Sequence, residues 1–155
     1  MTRQITFGLI ALACVAMIGC GGRPKLAEVE GQVLIDGEPV EGIEIKYIPD
    51  PESGNEGRFS TGKTNAEGKF TLVYDDEDKL PGASIGQCRI LVRDLLPAYT
   101  SRDAEPQPSR IALKYSEANT TPLRQTVESG IVNNHVFKFS SDEVEEERAA
   151  NANKE

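Results

Sequence analysis

The sequence predicts an all-β domain, an antiparallel sandwich of about seven strands, from three observations. Short runs of alternating apolar and polar residues recur along residues 28–140. Gly, Asn, Asp and Pro separate these runs, which is the residue chemistry of tight turns. No long stretch of the domain carries the 3.6-residue period of an amphipathic helix.

The chain opens differently. Arg3 precedes an apolar run from Ile5 to Ile18, broken only by Thr6 and Gly8. A bilayer-spanning helix needs roughly 20 apolar residues, and this shorter run ends in the helix-breaking sequence Gly19-Cys20-Gly21-Gly22-Arg23-Pro24. Residues 1–19 therefore read as a secretory signal peptide that is removed. Met17-Ile18-Gly19-Cys20 resembles the lipobox of bacterial lipoproteins, with Met17 where Leu is usual. The resemblance implies that the Cys20 thiolate attacks a phospholipid-derived diacylglyceryl group and that a peptidase then cuts after the small Gly19. Two acyl chains on Cys20 would hold the protein at a membrane firmly, where one chain binds only marginally. Residues 20–27 form the tether. At about 5 to 6 Å times the square root of its length, it keeps the domain within roughly 15 Å of the bilayer. The expected location is outside the cytoplasm, lipid-anchored and facing the periplasm or the exterior.

From Val29 the side chains alternate: Val29, Gly31, Val33 and Ile35 face one way, Glu28, Glu30 and Gln32 the other. This is a half-buried strand ended by Asp36-Gly37. Ile43, Ile45 and Tyr47 alternate with Glu44 and Lys46 in a second strand, stopped by Pro49 and Pro51. Glu52 to Gly57 is a polar loop and Arg58 to Thr64 a third strand, interrupted by Gly62. Asn65-Ala66-Glu67-Gly68 turns the chain into a fourth strand carrying Phe70, Leu72 and Tyr74. The acidic run Asp75-Asp76-Glu77-Asp78 follows, then Pro81-Gly82 and a fifth strand from Gly86 to Arg93. Cys88, Ile90 and Val92 share one face of it, so Cys88 reads as a buried small side chain. Leu95 to Leu113 contains Pro97, Pro106 and Pro108 and reads as an extended loop. Two more strands, around Leu123 to Glu128 and His135 to Ser140, close the domain, the last burying Phe137 and Phe139. Residues 141–155 are dense in Glu and small polar residues and read as a solvated acidic tail; Glu143 stands where a capping box from Ser140 would place it.

Particular residues add a family. Val33, Asp36-Gly37, Pro39 and Gly42, then Thr64, Asn65, Gly68 and Phe70, resemble the carboxypeptidase regulatory-like or transthyretin-like domain. Ile111 to Tyr115, with Thr120-Thr121 and Leu123, is similar to the downstream pattern of small bacterial lipoproteins that carry this domain. Cys88 stands where an aromatic is usual, Ala112 where proline is usual, and Thr121-Pro122 where Ser-Gly is common. The likeness covers Val29 to Phe139 and implies an Ig-like, prealbumin-like sandwich. The matching residues are turn and core positions, so they carry architecture and no activity.

Composition narrows the function. The net charge is −8, and removing residues 1–19 takes away one more positive charge, Arg3. So acidic a chain repels phosphate backbones, and no nucleic-acid partner is expected. Of three cysteines, Cys14 lies in the signal and Cys20 carries lipid, leaving Cys88 alone and no disulfide. His135 is the single histidine. Hydroxyisourate hydrolases and ring-cleaving dioxygenases of similar fold each need at least two, and a zinc hydrolase needs a histidine-rich site. No catalytic, cofactor or metal residues are expected, and His135 reads as a surface or edge residue. Asp75 to Asp78 lacks the ligand spacing of an EF-hand. The expected role is non-enzymatic: a structural or protein-interaction module of the cell envelope, with a carbohydrate- or small-ligand-binding module as the alternative. Absence of Trp and scarcity of outward aromatics weigh against a sugar-stacking platform.

Overall fold

A computed structural model describes residues 25–95 and 108–152. The expected signal peptide, Cys20 with most of the expected tether, and residues 96–107 of the expected loop lie outside the described residues.

The strands are β1 (Leu26–Ala27), β2 (Val29–Ile35), β3 (Glu38–Pro39), β4 (Ile43–Pro49), β5 (Ser60–Lys63), β6 (Lys69–Thr71), β7 (Val73–Tyr74), β8 (Ala83–Ser84), β9 (Gly86–Asp94), β10 (Arg124–Val127) and β11 (Asn133–Phe139). The larger sheet has the order β10-β9-β4-β5-β7. The smaller one is built around β2, with β11 along one edge and β3 and β6 in succession along the other. A β1-β8 ribbon completes the fold. The predicted sandwich is present, and its seven principal strands are those the alternation predicts. The run carrying Phe70, Leu72 and Tyr74 divides in two, because it pairs first with β2 and then with β5, crossing between the sheets at Leu72.

Each alternation becomes an inner face. Val29 and Val33 of β2, Ile43, Ile45 and Tyr47 of β4, and Cys88, Ile90 and Val92 of β9 are buried, as are Phe70, Phe137 and Phe139 opposite them. Phe70 and Phe137 stack with centroids 6.2 Å apart. Gly31 is glycine for a steric reason: a Cβ there would lie 2.0 Å from the His135 carbonyl oxygen and 2.7 Å from the Phe70 ring.

Among the described residues, all ladders are antiparallel except one. β11 pairs in parallel with β2 over seven residues, Asn133 opposite Val29 through Phe139 opposite Ile35. The reason is the sheet switch before it. β10 ends opposite Gly86, the start of β9, and the 128–132 turn carries the chain to the other sheet before it runs back beside β2.

The expected solvated tail is instead a helix, α1 (Ser141–Ala152). Ser140 Oγ accepts the Asp142 N–H at 3.2 Å, and Asp36 Oδ1 accepts the Ser141 N–H at 3.1 Å. Hydrogen bonding from Ser141 holds the Asp36 carboxyl below its usual range. Val144 is buried in the core. Glu143 accepts from the Tyr115 hydroxyl at 2.9 Å, and Glu147 accepts the backbone N–H groups of Leu113 at 2.6 Å and Lys114 at 3.2 Å. Tertiary carboxylate bonds thus order a segment whose composition favours solvation.

The register gives the sandwich two distinct ends. Lys25, the 128–132 turn and the start of β9 share one end. The Asp36-Gly37 turn, the C-terminal end of β9 and α1 share the other.

Candidate functional site

The single histidine is half-buried. His135 is on an edge strand, as expected, but its ring points between the sheets and lies parallel to that of Tyr47, centroids 5.9 Å apart. Tyr47 Oη and His135 Nδ1 are 2.6 Å apart. Tyr47 is fully buried, and burial raises its phenol pKa so far that the hydroxyl keeps its proton. The phenol therefore donates, Nδ1 accepts, and the imidazole proton resides on Nε2. Burial also lowers the His135 pKa, in favour of this neutral form.

This pair has a pH signature. The folded-state pKa of His135 is depressed, so its contribution is fully present above the unfolded value of about 6.5 and is lost as pH falls through the folded value. Because the chain has one histidine, wild type is expected to melt at a lower temperature at pH 5.5 than at pH 7.5, and His135→Gln to lose that difference. An equal slope in both proteins would refute the assignment.

Cys88 is buried against Asn55, whose Nδ2 lies 3.5 Å from Sγ, and burial pushes its thiol up to about 11. A thiol held protonated is a poor nucleophile, so Cys88 is a core residue, as its alternation implies. In the acidic run, Asp75 pairs with Lys79 at 2.9 Å, which holds its carboxyl below the usual range, and Asp76 accepts the Leu80 N–H at 3.3 Å. Among the described residues, no group of three or more His, Cys, Asp and Glu side chains is placed to hold a metal ion.

Two surface hollows bear on binding. One, about 460 Å³, lies on the outer face of the smaller sheet, with Glu30, Gln32, Lys69 and Asn134 around it and Lys63 at its rim. Glu30 accepts from Asn134 at 3.1 Å and Gln32 donates to the Glu67 carbonyl at 2.9 Å. This floor is polar, rich in amides and charge. The other, about 350 Å³, lies between α1, Ile35, Val40 and residues 108–110, with an apolar floor that includes Val144. Arg110 and Arg148 stand at its edge. Arg110 is fixed there by Asp94, whose carboxylate it grips through Nη2 at 2.8 Å and Nε at 2.9 Å, and by the Glu41 carbonyl at 2.9 Å. With Arg110 already engaged by Asp94 and Glu145 also lining it, this second hollow suits an apolar side chain.

Sequence reasoning missed α1 and therefore this hollow. It also missed Asn133, a buried amide that organises the 128–132 turn. Asn133 Oδ1 accepts the Glu128 N–H at 2.8 Å, and Nδ2 lies within bonding distance of the Glu28, Glu128 and Ile131 carbonyls. The Asn133-Asn134 pair ahead of an alternating strand was the available signal, but either amide could have been the inward one.

No family model matches the chain. Transthyretin-like protein 2 of Caenorhabditis elegans is 26% identical over 78 residues, which cover 46% of this chain and 53% of that protein. The chain thus spans about half the length of the curated relative it matches, and is a distant transthyretin-like homologue. Among solved structures, a 9R-lipoxygenase from Cyanothece PCC8801 matches 75% of this chain with 16% of its own length, at 17% identity and a TM-score of 0.34.

Proposed function

We propose that this chain is a non-enzymatic, lipid-anchored module of the bacterial cell envelope, a carboxypeptidase regulatory-like domain held at a membrane by acyl chains on Cys20. On this reading it binds a protein partner with the end that carries α1. The observation that supports it most is the opposition of the two ends. The chain enters at Lys25 on one end, and the hollow floored by Val144 and edged by Arg110 and Arg148 lies at the other. An anchor at Cys20 then turns that hollow away from the bilayer, where an envelope protein can reach it. The engagement of His135 with a buried phenol and the protonated thiol of Cys88 favour a binding role over catalysis.

Crosslinking in intact membranes tests this. A photoreactive residue replacing Arg148 is expected to give a reproducible protein adduct, one replacing Glu77 none, and Cys20→Ala to abolish both the adduct and membrane retention. Recovery of the protein alone from the Arg148 position would end the interaction reading. The polar hollow beside Gln32 and Asn134 favours the second reading, a carbohydrate- or small-ligand-binding module. Glycan-array binding by the detergent-solubilised chain, lost in Asn134→Ala, would move the assignment there.

A further inference from the structure

The end at which the chain enters carries two adjacent exposed aliphatic side chains. Among the described residues, the exposed large hydrophobics are Val73, Leu113, Ile131, Val132 and Val136. Ile131 and Val132 are adjacent on the turn between β10 and β11, 54% and 52% exposed. Val132 shares a shallow hollow of about 250 Å³ with Val73, Pro81 and Glu28.

Two facts place this tip relative to the anchor. Asn133 N donates to the Glu28 carbonyl at 2.9 Å, so the tip abuts a residue three positions after Lys25. The five residues from Cys20 to Lys25 span at most about 18 Å when fully extended. The tip is also held by hydrogen bonds of its own. The buried Asn133 amide ties the Glu28, Glu128 and Ile131 carbonyls and the Glu128 N–H together, and Gly130 supplies the positive φ of 80° that the turn needs. A buried side-chain amide, donor and acceptor both engaged, thus supports a turn whose two aliphatic side chains face outward.

We propose that Ile131 and Val132 insert into the lipid interface beside the acylated Cys20, making the 128–132 turn a second, non-covalent contact with the membrane; this rests on the lipid-anchor reading above. The occupant is the bilayer because the tether is too short to let a protein of ordinary thickness intervene. Glu28 and Glu128 are exposed beside the tip. Lys25, exposed at the same end, only partly offsets them, so the contact rests on the aliphatic side chains rather than on charge. Its effect is orientation. An anchor at one point leaves the domain free to tumble, whereas an anchor plus an inserted turn holds the α1 end outward.

The test uses the full acylated chain in phosphatidylcholine vesicles containing nitroxide-labelled lipid. Cys88 is fully buried, so Ile131→Cys directs an environment-sensitive fluorophore to the tip and Leu113→Cys directs it to the opposite end. The expected result is blue-shifted, nitroxide-quenched emission from position 131 and unshifted, unquenched emission from position 113, both unchanged in high salt. Unquenched emission at 131 from protein that still floats with the vesicles and carries acyl mass on Cys20 overturns the insertion and leaves the anchor standing. Equal quenching at both positions also overturns it. A mature protein that lacks acyl mass and does not float removes the anchor reading, and the insertion with it.

Discussion

Gly31→Ala is expected to destabilise the domain by about 3 kcal/mol or more, a large part of the total stability of a small domain. The added methyl would meet the His135 backbone carbonyl at 2.0 Å, and neither strand can withdraw cheaply. β2 is paired along both edges, to β11 over seven residues and to β6 and β3 in succession. Moving β11 away breaks a full parallel ladder; moving β2 the other way drives it against the Phe70 ring, 2.7 Å from the same methyl. Urea unfolding reads the effect as a shift in midpoint. A loss under about 1 kcal/mol, the size of an ordinary substitution, would show that β11 is not seated against β2 as described.

Arg110→Ala is expected to cost about 3 kcal/mol, the lower end of what breaking a buried ion pair costs. The asymmetry of the pair sets this value. The Asp94 side chain is 1% exposed while that of Arg110 is 35% exposed, so truncating the arginine leaves a desolvated carboxylate without its guanidinium. The Arg110 backbone N–H still donates to Asp94 Oδ2 at 2.9 Å, which limits the loss. Replacing both residues by Ala removes the buried charge as well, and the double variant is expected to be more stable than Arg110→Ala alone. A double variant no better than the single one would show that the carboxylate is not desolvated.

The strands were legible because a half-buried strand writes its two faces into alternate residues. Ile43, Ile45 and Tyr47, or Cys88, Ile90 and Val92, can be read without coordinates, and the turn at Asp36-Gly37 follows from its residue types. Helix α1 was not legible. It buries one apolar side chain, Val144, so no period appears, and what orders it is carboxylates bound to Tyr115 and to backbone N–H groups more than 30 residues away. Ser140 and Glu143 marked its start without fixing its length. His135 was placed correctly on an edge strand, but the direction of its ring depended on Tyr47, 88 residues earlier. Pairings at such separations leave no trace in local pattern, and the parallel β2-β11 register is hidden for the same reason.

That register also bears on when the protein can fold. The smaller sheet joins the first long strand of the domain to the last: Asn133 and Glu28, bonded at 3.2 Å, are 105 positions apart. Until β11 is available, β2 has only β3 and β6 to pair with, and Val33 faces a core that lacks Phe137 and Phe139. Closing so long a loop makes folding slow, in the millisecond-to-second range typical of sandwiches with distant pairings. The N-terminal half has nothing to complete its sheet with while the rest is still being made, so topology alone leaves the smaller sheet unfinished until the last strand is present.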